Sequence, residues 1–180
     1  MMTDHFTGQF EVELKFRVSS HQPLIQQLQA RHAECFVEKN QETDYFYECK
    51  DSRLATAGIS MSVRVMSPSG IQLWIVKGPA PDKCEAVNIT SANTTRNMLE
   101  TLGYTHQQTL EKTRSIYFLG DFHITLDTIA GLGDFAEIAV MTDDSQLLSS
   151  LRQQCLELAA SFGLQTSQLV DRSYRELLNN

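Results

Sequence analysis

Three charged side chains near the start of the chain, Glu11, Glu13 and Lys15, occupy every second position. The residues between and around them are apolar, so an extended strand from Phe10 to Val18 would have one oily and one charged face. Carboxylate oxygens are the ligands that Mg²⁺ and Mn²⁺ prefer, and an ammonium group binds phosphate oxygens. The charged face of this strand is therefore suited to hold a metal ion together with a phosphorylated ligand.

Charged residues recur along the other strand-like segments of the chain. They are Arg64, Lys77, Lys83, Glu85, Lys112, Arg114, Asp127 and Glu137. On a single strand such residues usually form a solvent-exposed face. Their recurrence on many strands instead favours a barrel whose interior is lined with acids and bases, because one enclosed lumen could use both kinds of charge.

The two kinds of charge suit two parts of one ligand. The candidate ligands for Mg²⁺ or Mn²⁺ are Glu11, Glu13, Asp127 and Glu137. The candidate phosphate-binding cations are Lys15, Arg64, Lys77, Lys112 and Arg114. Many like charges in one lumen would repel one another, so we expect binding of metal and triphosphate to stabilise the fold.

The predicted secondary structure consists mainly of strands, with few helices. Besides residues 10–18, strands are expected near 36–49, 60–66, 71–77, 84–90, 109–119, 121–127 and 134–141. Helices are expected near 23–31, 92–102, 143–162 and 173–178. This order favours an α+β fold built on an antiparallel β-barrel with a few peripheral helices. Since neither a Gly-x-Gly-x-x-Gly loop nor a Walker A pattern occurs, side chains must bind any phosphate.

Length and composition indicate one ordinary globular domain. The chain has 180 residues, of which 42% are hydrophobic and 21% charged. Its formal net charge of -7 makes nucleic acid an unfavourable partner. No apolar segment is long enough for a membrane span, and the four cysteines are scattered, so we expect a cytoplasmic protein with reduced thiols and no membrane partner.

The segment from Glu11 to Lys15 resembles the Glu-x-Glu-x-Lys signature of the CYTH, or triphosphate tunnel, superfamily, which includes class IV adenylyl cyclases and thiamine triphosphatases. The resemblance continues through residues 41–47, 63–64, 73–79, 111–114, 126–127, 133–137 and 173–178. This ordered series is far more specific than the first motif alone. It implies a single CYTH-like domain over residues 1–180, folded as a triphosphate tunnel.

Three positions differ from the pattern of many superfamily members. Met66 and Ala139 stand where a second arginine and a second glutamate are common, and Lys83 stands where arginine is common. These changes reduce the means of binding a γ-phosphate and a second metal, and the surrounding sequence resembles the bacterial class IV adenylyl cyclase branch. The resemblance therefore implies an adenylyl cyclase that converts ATP to cyclic AMP and pyrophosphate.

The same resemblance implies roles for individual residues. Glu13 and Glu137 would hold the metal, with Glu11 and Asp127 nearby. The residues expected to take part in catalysis are Glu13, Lys112 and Arg114, of which the two cations would stabilise the leaving group. The expected contacts to the nucleotide and its phosphates are Lys15, Arg64, Lys77, Lys83, Glu85, Lys112, Arg114 and Arg175.

Two alternatives remain open at this level. One is a metal-dependent triphosphatase acting on thiamine triphosphate, inorganic triphosphate or a nucleotide; the other is a triphosphate-binding protein without turnover. His123 shares a strand face with Asp127, but solvent exposure explains it as well, so we leave it outside the site. Trp74 could stack on adenine, although packing against a helix explains it better. An exposed apolar strip on the long helix or on an open barrel edge would indicate a homodimer.

Overall fold

The computed structural model describes residues 4–179. Their strands are β1 (Phe10–Val18), β2 (Glu34–Cys49), β3 (Ser60–Ser67), β4 (Gln72–Lys77), β5 (Cys84–Asn88), β6 (Tyr104–Leu119), β7 (Phe122–Ile129) and β8 (Gly133–Thr142). They form one antiparallel sheet in the order β1-β8-β7-β6-β2-β3-β4-β5, which curls into a half-barrel. The predicted fold class is confirmed. Among the strands, the largest boundary error is in β6, which begins at Tyr104 instead of near Thr109.

Helices lie around this sheet. They are α1 (Gln22–Ala30), α2 (Arg53–Thr56), α3 (Ala92–Thr101), α4 (Leu148–Ser161) and α5 (Tyr174–Leu178). The single turn of α2 is absent from the predicted elements, because four residues carry no helical periodicity. The start of α4 is later than predicted, since Asp144 caps a short 3₁₀ turn and accepts a hydrogen bond from the Gln146 amide at 2.8 Å.

The apolar face of the sheet is on the outside of the half-barrel, where helices cover it. Val12, Leu14 and Phe16 of β1 are buried in the main core together with Leu24 of α1 and Cys155 of α4. Burying an aliphatic or aromatic side chain of this size contributes about 1.5–3 kcal/mol. Because the strand alternation leaves Glu11, Glu13 and Lys15 on the opposite face, packing the helices turns these charges toward the inside.

The two edges of the curled sheet meet at one end. The Cys84 amide of β5 donates to the Gln9 carbonyl at 2.9 Å, and the Glu11 amide of β1 donates to the Asp82 carbonyl at 2.7 Å. At the other end of β1, the Val170 amide donates to the Lys15 carbonyl at 2.9 Å. The chain after α4 therefore runs along the open part of the β1 edge and leads into α5.

The outer surface explains two sequence features. Trp74 of β4 lies on the outer face beside Val87 of β5, and the two side chains are 37% and 52% exposed. Trp74 is therefore not available to stack on a ligand inside the half-barrel.

The four cysteines are free thiols. Within residues 4–179, the helices are all too short or too polar to span a bilayer.

Candidate active site

The inward-facing side chains of the half-barrel enclose a lumen, which we call the tunnel. Strand β6 runs along it and places Leu110, Lys112, Arg114 and Ile116 on the inner face, all of them buried. The charges that are far apart in the sequence therefore converge in one sheltered space. Lys112 and Arg114 occupy its middle, while Leu110 and Ile116 lie toward the two ends.

Arg114 is the most highly coordinated cation of the tunnel. Its Nε donates to Asp127 Oδ1 at 2.6 Å, and its Nη2 donates to Asp127 Oδ2 and, at 2.6 Å, to Glu137 Oε2. The Thr125 hydroxyl also donates to Glu137 Oε2, at 3.0 Å. Burial alone would raise the pKa of Glu137, but the attraction of Arg114 and Lys15 holds it well below its usual range. Glu137 is therefore an ionised carboxylate at neutral pH.

Two buried carboxylates of β2, Glu42 and Asp44, belong to the site although they are absent from the predicted site residues. Arg64 binds Asp44 through two hydrogen bonds, Nε to Oδ1 at 2.6 Å and Nη2 to Oδ2 at 2.9 Å. The Lys112 ammonium lies 3.4 Å from a carboxylate oxygen of each acid. Burial would raise the pKa of Asp44, but the attraction of Arg64 and Lys112 lowers it strongly. The candidate phosphate-binding cations are thus already paired with acids.

Glu42 is the exception within this network. Its side chain is fully buried, yet neither carboxylate oxygen has a hydrogen-bond partner among the described residues. Its nearest cations are Arg64 and Lys112, each 3.4 Å from Oε2, and Arg114 at 3.8 Å. Burial raises the pKa of Glu42, while Arg64, Arg114 and Lys112 together lower it below its usual value. Glu42 therefore holds three candidate phosphate-binding cations together by charge, without fixing any of them in a hydrogen bond.

Glu11 accepts two bonds from the tunnel wall. The Lys77 ammonium donates to Glu11 Oε2 at 2.9 Å, and His123 Nε2 lies 3.1 Å from Glu11 Oε1. Burial opposes ionisation, but attraction by Lys77 and the bond from His123 keep the pKa of Glu11 well below its usual value. His123 is 2% exposed, so the solvent-exposed interpretation of this residue is wrong. Its inward position could have been read from the alternation with Thr125 and Asp127.

The backbone after Lys77 makes a tight turn from β4 into β5. Gly78 has a φ of +88°, and a Cβ atom there would lie 2.0 Å from the Gly58 carbonyl oxygen. Only glycine permits this close approach. The Gly78 amide then donates to the Lys83 carbonyl at 2.8 Å, which starts the turn into β5. The turn that follows Lys77 therefore packs closely on Gly58 and leads into β5, whose start lies beside β1.

Glu13 differs from the other tunnel carboxylates because it lacks a close cation. The Lys77 ammonium is 3.9 Å away. Burial and repulsion by Glu137 raise the pKa of Glu13 above its usual value. A carboxylate in this position is electrostatically unfavourable unless a further cation binds between it and Glu137.

These carboxylates fit a divalent cation that also binds the ligand. No group of three or more His, Cys, Asp or Glu side chains among residues 4–179 is arranged to hold a metal unaided. Mg²⁺ and Mn²⁺ commonly take one or two carboxylates and complete their shell with water and phosphate oxygens. Glu13 and Glu137 can supply that pair of carboxylates. Asp127 is engaged by Arg114 and by the Tyr174 hydroxyl, at 2.9 Å, and is completely buried.

Two predicted contacts lie away from the tunnel. Glu85 is on the outer face of β5, because Cys84, Ala86 and Asn88 take the inward positions of that strand. Lys83 bonds Gln9 Oε1 at 2.8 Å and lies 3.3 Å from Glu85, at the junction between β1 and β5. The structure therefore does not bring Lys83 or Glu85 to the predicted site.

The tunnel contains two chambers that share part of their walls. The larger one, the polar chamber, has a volume of about 580 Å³. Its charged and hydroxyl-bearing lining includes Glu13, Lys15, Asp44, Ser60, Ser62, Lys112 and Arg175. Arg175 is at the mouth, where its Nε donates to Gln108 Oε1 at 3.1 Å and its guanidinium stacks over Phe46. The predicted contact of Arg175 with a ligand is therefore compatible with its position.

The smaller one, the apolar chamber, has a volume of about 140 Å³. Its apolar lining includes Phe6, Phe36, Met66, Ile71, Leu73 and Ile116, and charged side chains such as Glu11, Glu42 and Arg114 also line it. Arg64, Lys77 and Glu137 line both chambers. A ligand could therefore extend from one chamber into the other past these three charged side chains.

Known proteins resemble this chain over nearly its full length. The family model for the CYTH domain matches residues 9–174. The adenylate cyclase CyaB of Aeromonas hydrophila is 51% identical over 177 residues, which are 98% of this chain and 93% of that protein. A crystal structure from Vibrio parahaemolyticus is 45% identical, covers 97% of this chain and all of that one, and has a TM-score of 0.93. A structure from Pyrococcus horikoshii, 23% identical with a TM-score of 0.81, shares the fold.

Proposed function

The chain belongs to the CYTH domain family, and from this premise we propose that it is an adenylyl cyclase that converts ATP to 3′,5′-cyclic AMP and pyrophosphate. The observation that carries the proposal is its 51% identity, over nearly the whole chain, to the adenylate cyclase of Aeromonas hydrophila. The tunnel agrees with this activity, because it combines buried cations for a triphosphate with carboxylates for a metal ion.

The cations of the tunnel bind and orient the triphosphate. Lys15, Lys112 and Arg175 line the polar chamber, and we propose that they bind the β- and γ-phosphates. Arg64 lines both chambers, and we propose that it binds the α-phosphate. Catalysis then consists mainly of alignment and of charge stabilisation, as in other phosphoryl transfers. Because Lys112 is 3.4 Å from its carboxylate partners, longer than an ordinary ionic hydrogen bond, it can turn to the leaving pyrophosphate at small cost.

In this proposal Glu13 and Glu137 would hold Mg²⁺ or Mn²⁺ together with the phosphates. When bound, the ion neutralises phosphate charge and makes the ribose 3′-hydroxyl more acidic. A cation bound there would also offset the burial and the repulsion by Glu137 that raise the pKa of Glu13. Glu11, which is fixed by Lys77 and His123, supplies further negative charge beside the ion.

Arg114 stabilises the charge that develops on the leaving group. Asp127 fixes the guanidinium on one side and Glu137 on the other, so its orientation is set before the substrate binds. Preorganised donors of this kind contribute most when water is excluded, and Arg114 is buried. In this role Asp127 acts on the substrate through Arg114 and is not needed as a metal ligand.

We propose that the protein acts in the cytoplasm, where the four free thiols would stay reduced. ATP is the proposed substrate, and the acidic chain has no proposed nucleic-acid partner. A homodimer remains a proposal for which the exposed pair Trp74 and Val87, near the β5 edge, is a candidate contact.

The experiment that tests this function combines product analysis with two variants. The purified protein is incubated with ATP and Mn²⁺, and cyclic AMP, ADP and both phosphate products are separated. We expect cyclic AMP in the wild type, and a loss of about 100-fold or more in Glu13→Ala and Arg114→Ala. Glu111→Ala is the matched control, because Glu111 is exposed and adjoins Lys112 on the outer face of β6, and it should retain full activity.

Other products would contradict the proposal in defined ways. ADP and phosphate without cyclic AMP would indicate a triphosphatase that uses the same tunnel. Metal-dependent binding of ATP with no product at all would indicate a protein that binds triphosphate without turnover. A normal rate of cyclic AMP formation in Glu13→Ala would show that Glu13 is not part of the active site.

A further inference from the structure

Glu42 of β2 contributes charge to the tunnel but no hydrogen bond. Its side chain is completely buried, and neither carboxylate oxygen has a donor among the described residues. A buried carboxylate without hydrogen bonds is unfavourable unless neighbouring cations offset its loss of water. Arg64, Lys112 and Arg114 are those cations, all within 3.8 Å of Oε2. Glu42 therefore interacts with the tunnel through its charge, without a fixed geometry.

The strand pairing explains why Glu42 has no donor. It lies opposite Met66 of β3, a buried residue whose side chain has no N–H or O–H group. Asp44, two residues further along β2, lies opposite Arg64 and accepts two hydrogen bonds from it. The two acids therefore have different roles, because Asp44 orients a cation whereas Glu42 only balances charge.

The hydrogen bonds that orient the guanidinium groups do not involve Glu42. Arg64 is held by its two bonds to Asp44, and Arg114 by its two bonds to Asp127. Glutamine has nearly the shape of glutamate but no charge. Glu42→Gln should therefore leave both arginines in position and change mainly the balance of charge around them.

The three cations around Glu42 lie where the two chambers meet. Arg64 lines both chambers, Lys112 lines the polar chamber and Arg114 lines the apolar chamber. Glu42 itself lines the apolar chamber. A polyphosphate that binds to these cations must therefore place its negative charge close to the carboxylate of Glu42.

The charge of Glu42 has opposite effects on the empty and the occupied tunnel. In the empty tunnel it reduces the repulsion among the three cations, and their attraction lowers the pKa of Glu42 below its usual value. In the occupied tunnel the phosphate oxygens neutralise the same cations, and Glu42 repels them. A charge that stabilises the free protein more than the complex weakens binding.

We propose that Glu42 is a counter-charge that weakens polyphosphate binding in the tunnel and thereby allows the pyrophosphate product to leave. This inference rests on the proposed cyclase function and adds to it a residue that acts through three cations, without touching the reacting atoms. Stability of the empty tunnel and affinity for polyphosphate consequently depend on Glu42 in opposite directions. A residue with a merely structural role would support both.

Calorimetry with Mg²⁺ tests the effect on affinity, with pyrophosphate and inorganic triphosphate as probes. We expect both Kd values to fall by about tenfold in Glu42→Gln, because the competing charge is gone. Glu42→Asp keeps the charge and should stay within about threefold of the wild type. Glu111→Gln is the matched control, since Glu111 is exposed on the outer face of β6, and it should change neither Kd. Unchanged or weaker binding in folded Glu42→Gln would overturn the proposal.

Thermal unfolding keeps the inference testable if Glu42→Gln is unstable. Without ligand, the variant should have a Tm about 5 °C or more below that of the wild type, because three cations lose their shared partner. Inorganic triphosphate with Mg²⁺, at one concentration well above both Kd values, should raise Tm by about 3–5 °C more in the variant. A difference in Tm that triphosphate does not narrow, or a variant that stays unfolded with triphosphate, would overturn the proposal.

Inhibition of cyclic AMP formation by added pyrophosphate tests the effect on product release. The inhibition constant should fall by about tenfold in Glu42→Gln and stay the same in Glu111→Gln, and an unchanged constant in Glu42→Gln would contradict the role in release. The failure of the proposed function would look different. Wild-type protein that binds pyrophosphate but forms no cyclic AMP would contradict the cyclase, while the calorimetry would still decide whether Glu42 weakens binding. Wild-type protein that binds neither probe would contradict both.

Discussion

Arg114 and Asp127 face each other across β6 and β7 and form a two-point ion pair in the middle of the tunnel. The Tyr174 hydroxyl of α5 donates to the same carboxylate, at 2.9 Å. One buried aspartate thus joins a cation of the candidate active site to α5. The position of Arg114 and the packing of α5 at the tunnel mouth are consequently linked through a single side chain.

The first prediction concerns the stability that this link contributes. Asp127→Ala removes the principal partner of a buried guanidinium and the acceptor of a buried phenol. Breaking one side of a buried ion pair costs about 3–5 kcal/mol, so we expect the free energy of unfolding in urea to fall by that amount. Asp121→Ala is the control, because Asp121 is exposed, and it should change stability by less than about 0.5 kcal/mol. Similar values for the two variants would show that Asp127 contributes no more than a surface acid.

The second prediction uses the opposite pKa shifts of two neighbouring glutamates. The pKa of Glu13 is raised by burial and by Glu137, so its charge destabilises the ligand-free fold above that pKa. Glu13→Gln should therefore increase Tm at pH 7 by about 2–4 °C, which corresponds to roughly 1 kcal/mol in a chain of this size. The increase should disappear below pH ~4, where Glu13 is protonated in both the folded and unfolded states.

Glu137→Gln is the matched variant and should act in the other direction. Its pKa is lowered against the effect of burial by Arg114 and Lys15, so the stability it contributes is complete above its unfolded pKa of about 4.3. That stability is lost as the pH falls toward the lowered folded pKa. Glu137→Gln should therefore decrease Tm at pH 7, with a smaller decrease below pH ~4. Tm shifts of the same sign for both glutamine variants at pH 7 would contradict these pKa directions.

The third prediction concerns His123, which orients Glu11. Replacing His123 with Asn shortens the side chain and removes the bond to Glu11 Oε1. Loss of a partner that orients a carboxylate at or beside a metal site usually costs 10–100-fold in metal affinity or activity. We expect the Mn²⁺ concentration for half-maximal activity to rise at least about tenfold, while kcat at saturating Mn²⁺ changes by less than about threefold.

The control for this variant is His106→Asn. His106 is exposed and lies beside Tyr45 and Tyr47 outside the tunnel. It should leave the Mn²⁺ dependence unchanged. A lower kcat in His123→Asn at every Mn²⁺ concentration, with no change in the half-maximal concentration, would contradict a positioning role.

The fourth prediction concerns stabilisation by the ligand. Inorganic triphosphate with Mg²⁺, at about 100 times its Kd, should stabilise the wild type by about 2.7 kcal/mol, measured as a rise in Tm. Lys112→Met removes a buried ammonium of the polar chamber and should reduce this rise by more than half. Lys50→Met, which changes an exposed lysine, should keep it. An equal rise in Tm for Lys112→Met and the wild type would show that Lys112 does not bind the triphosphate.

Much of the charged lining of the tunnel can be predicted from the alternation of residues along the strands. The period of two in β1 predicts that Glu11, Glu13 and Lys15 share a face, and the structure agrees. The same reasoning is insufficient for Glu85, because β5 has five residues and little alternation. Which residues of β5 face the tunnel is set by the pairing of this strand with β4, where Lys77 lies opposite Cys84 and Ile75 opposite Ala86. A tertiary contact, rather than local sequence, turns Glu85 outward.

Sequence patterns also cannot predict which acids and cations form ion pairs. Glu42 and Asp44 alternate on β2, but which cations they meet depends on the register of β2 with β3 and β6. Asp44 lies opposite Arg64, and Glu42 lies opposite Lys112. Composition and spacing therefore predict a charged lumen, whereas the assignment of each acid to a metal or to a cation requires the three-dimensional arrangement.

The most direct test of the central claim is a ³¹P NMR time course of the purified protein with ATP and Mg²⁺. The account predicts that the three ATP phosphorus signals are replaced by those of cyclic AMP and pyrophosphate in equal molar amounts, and that Arg114→Ala slows this change by about 100-fold or more. Replacement by the signals of ADP and inorganic phosphate, with no cyclic AMP at any time, would contradict it.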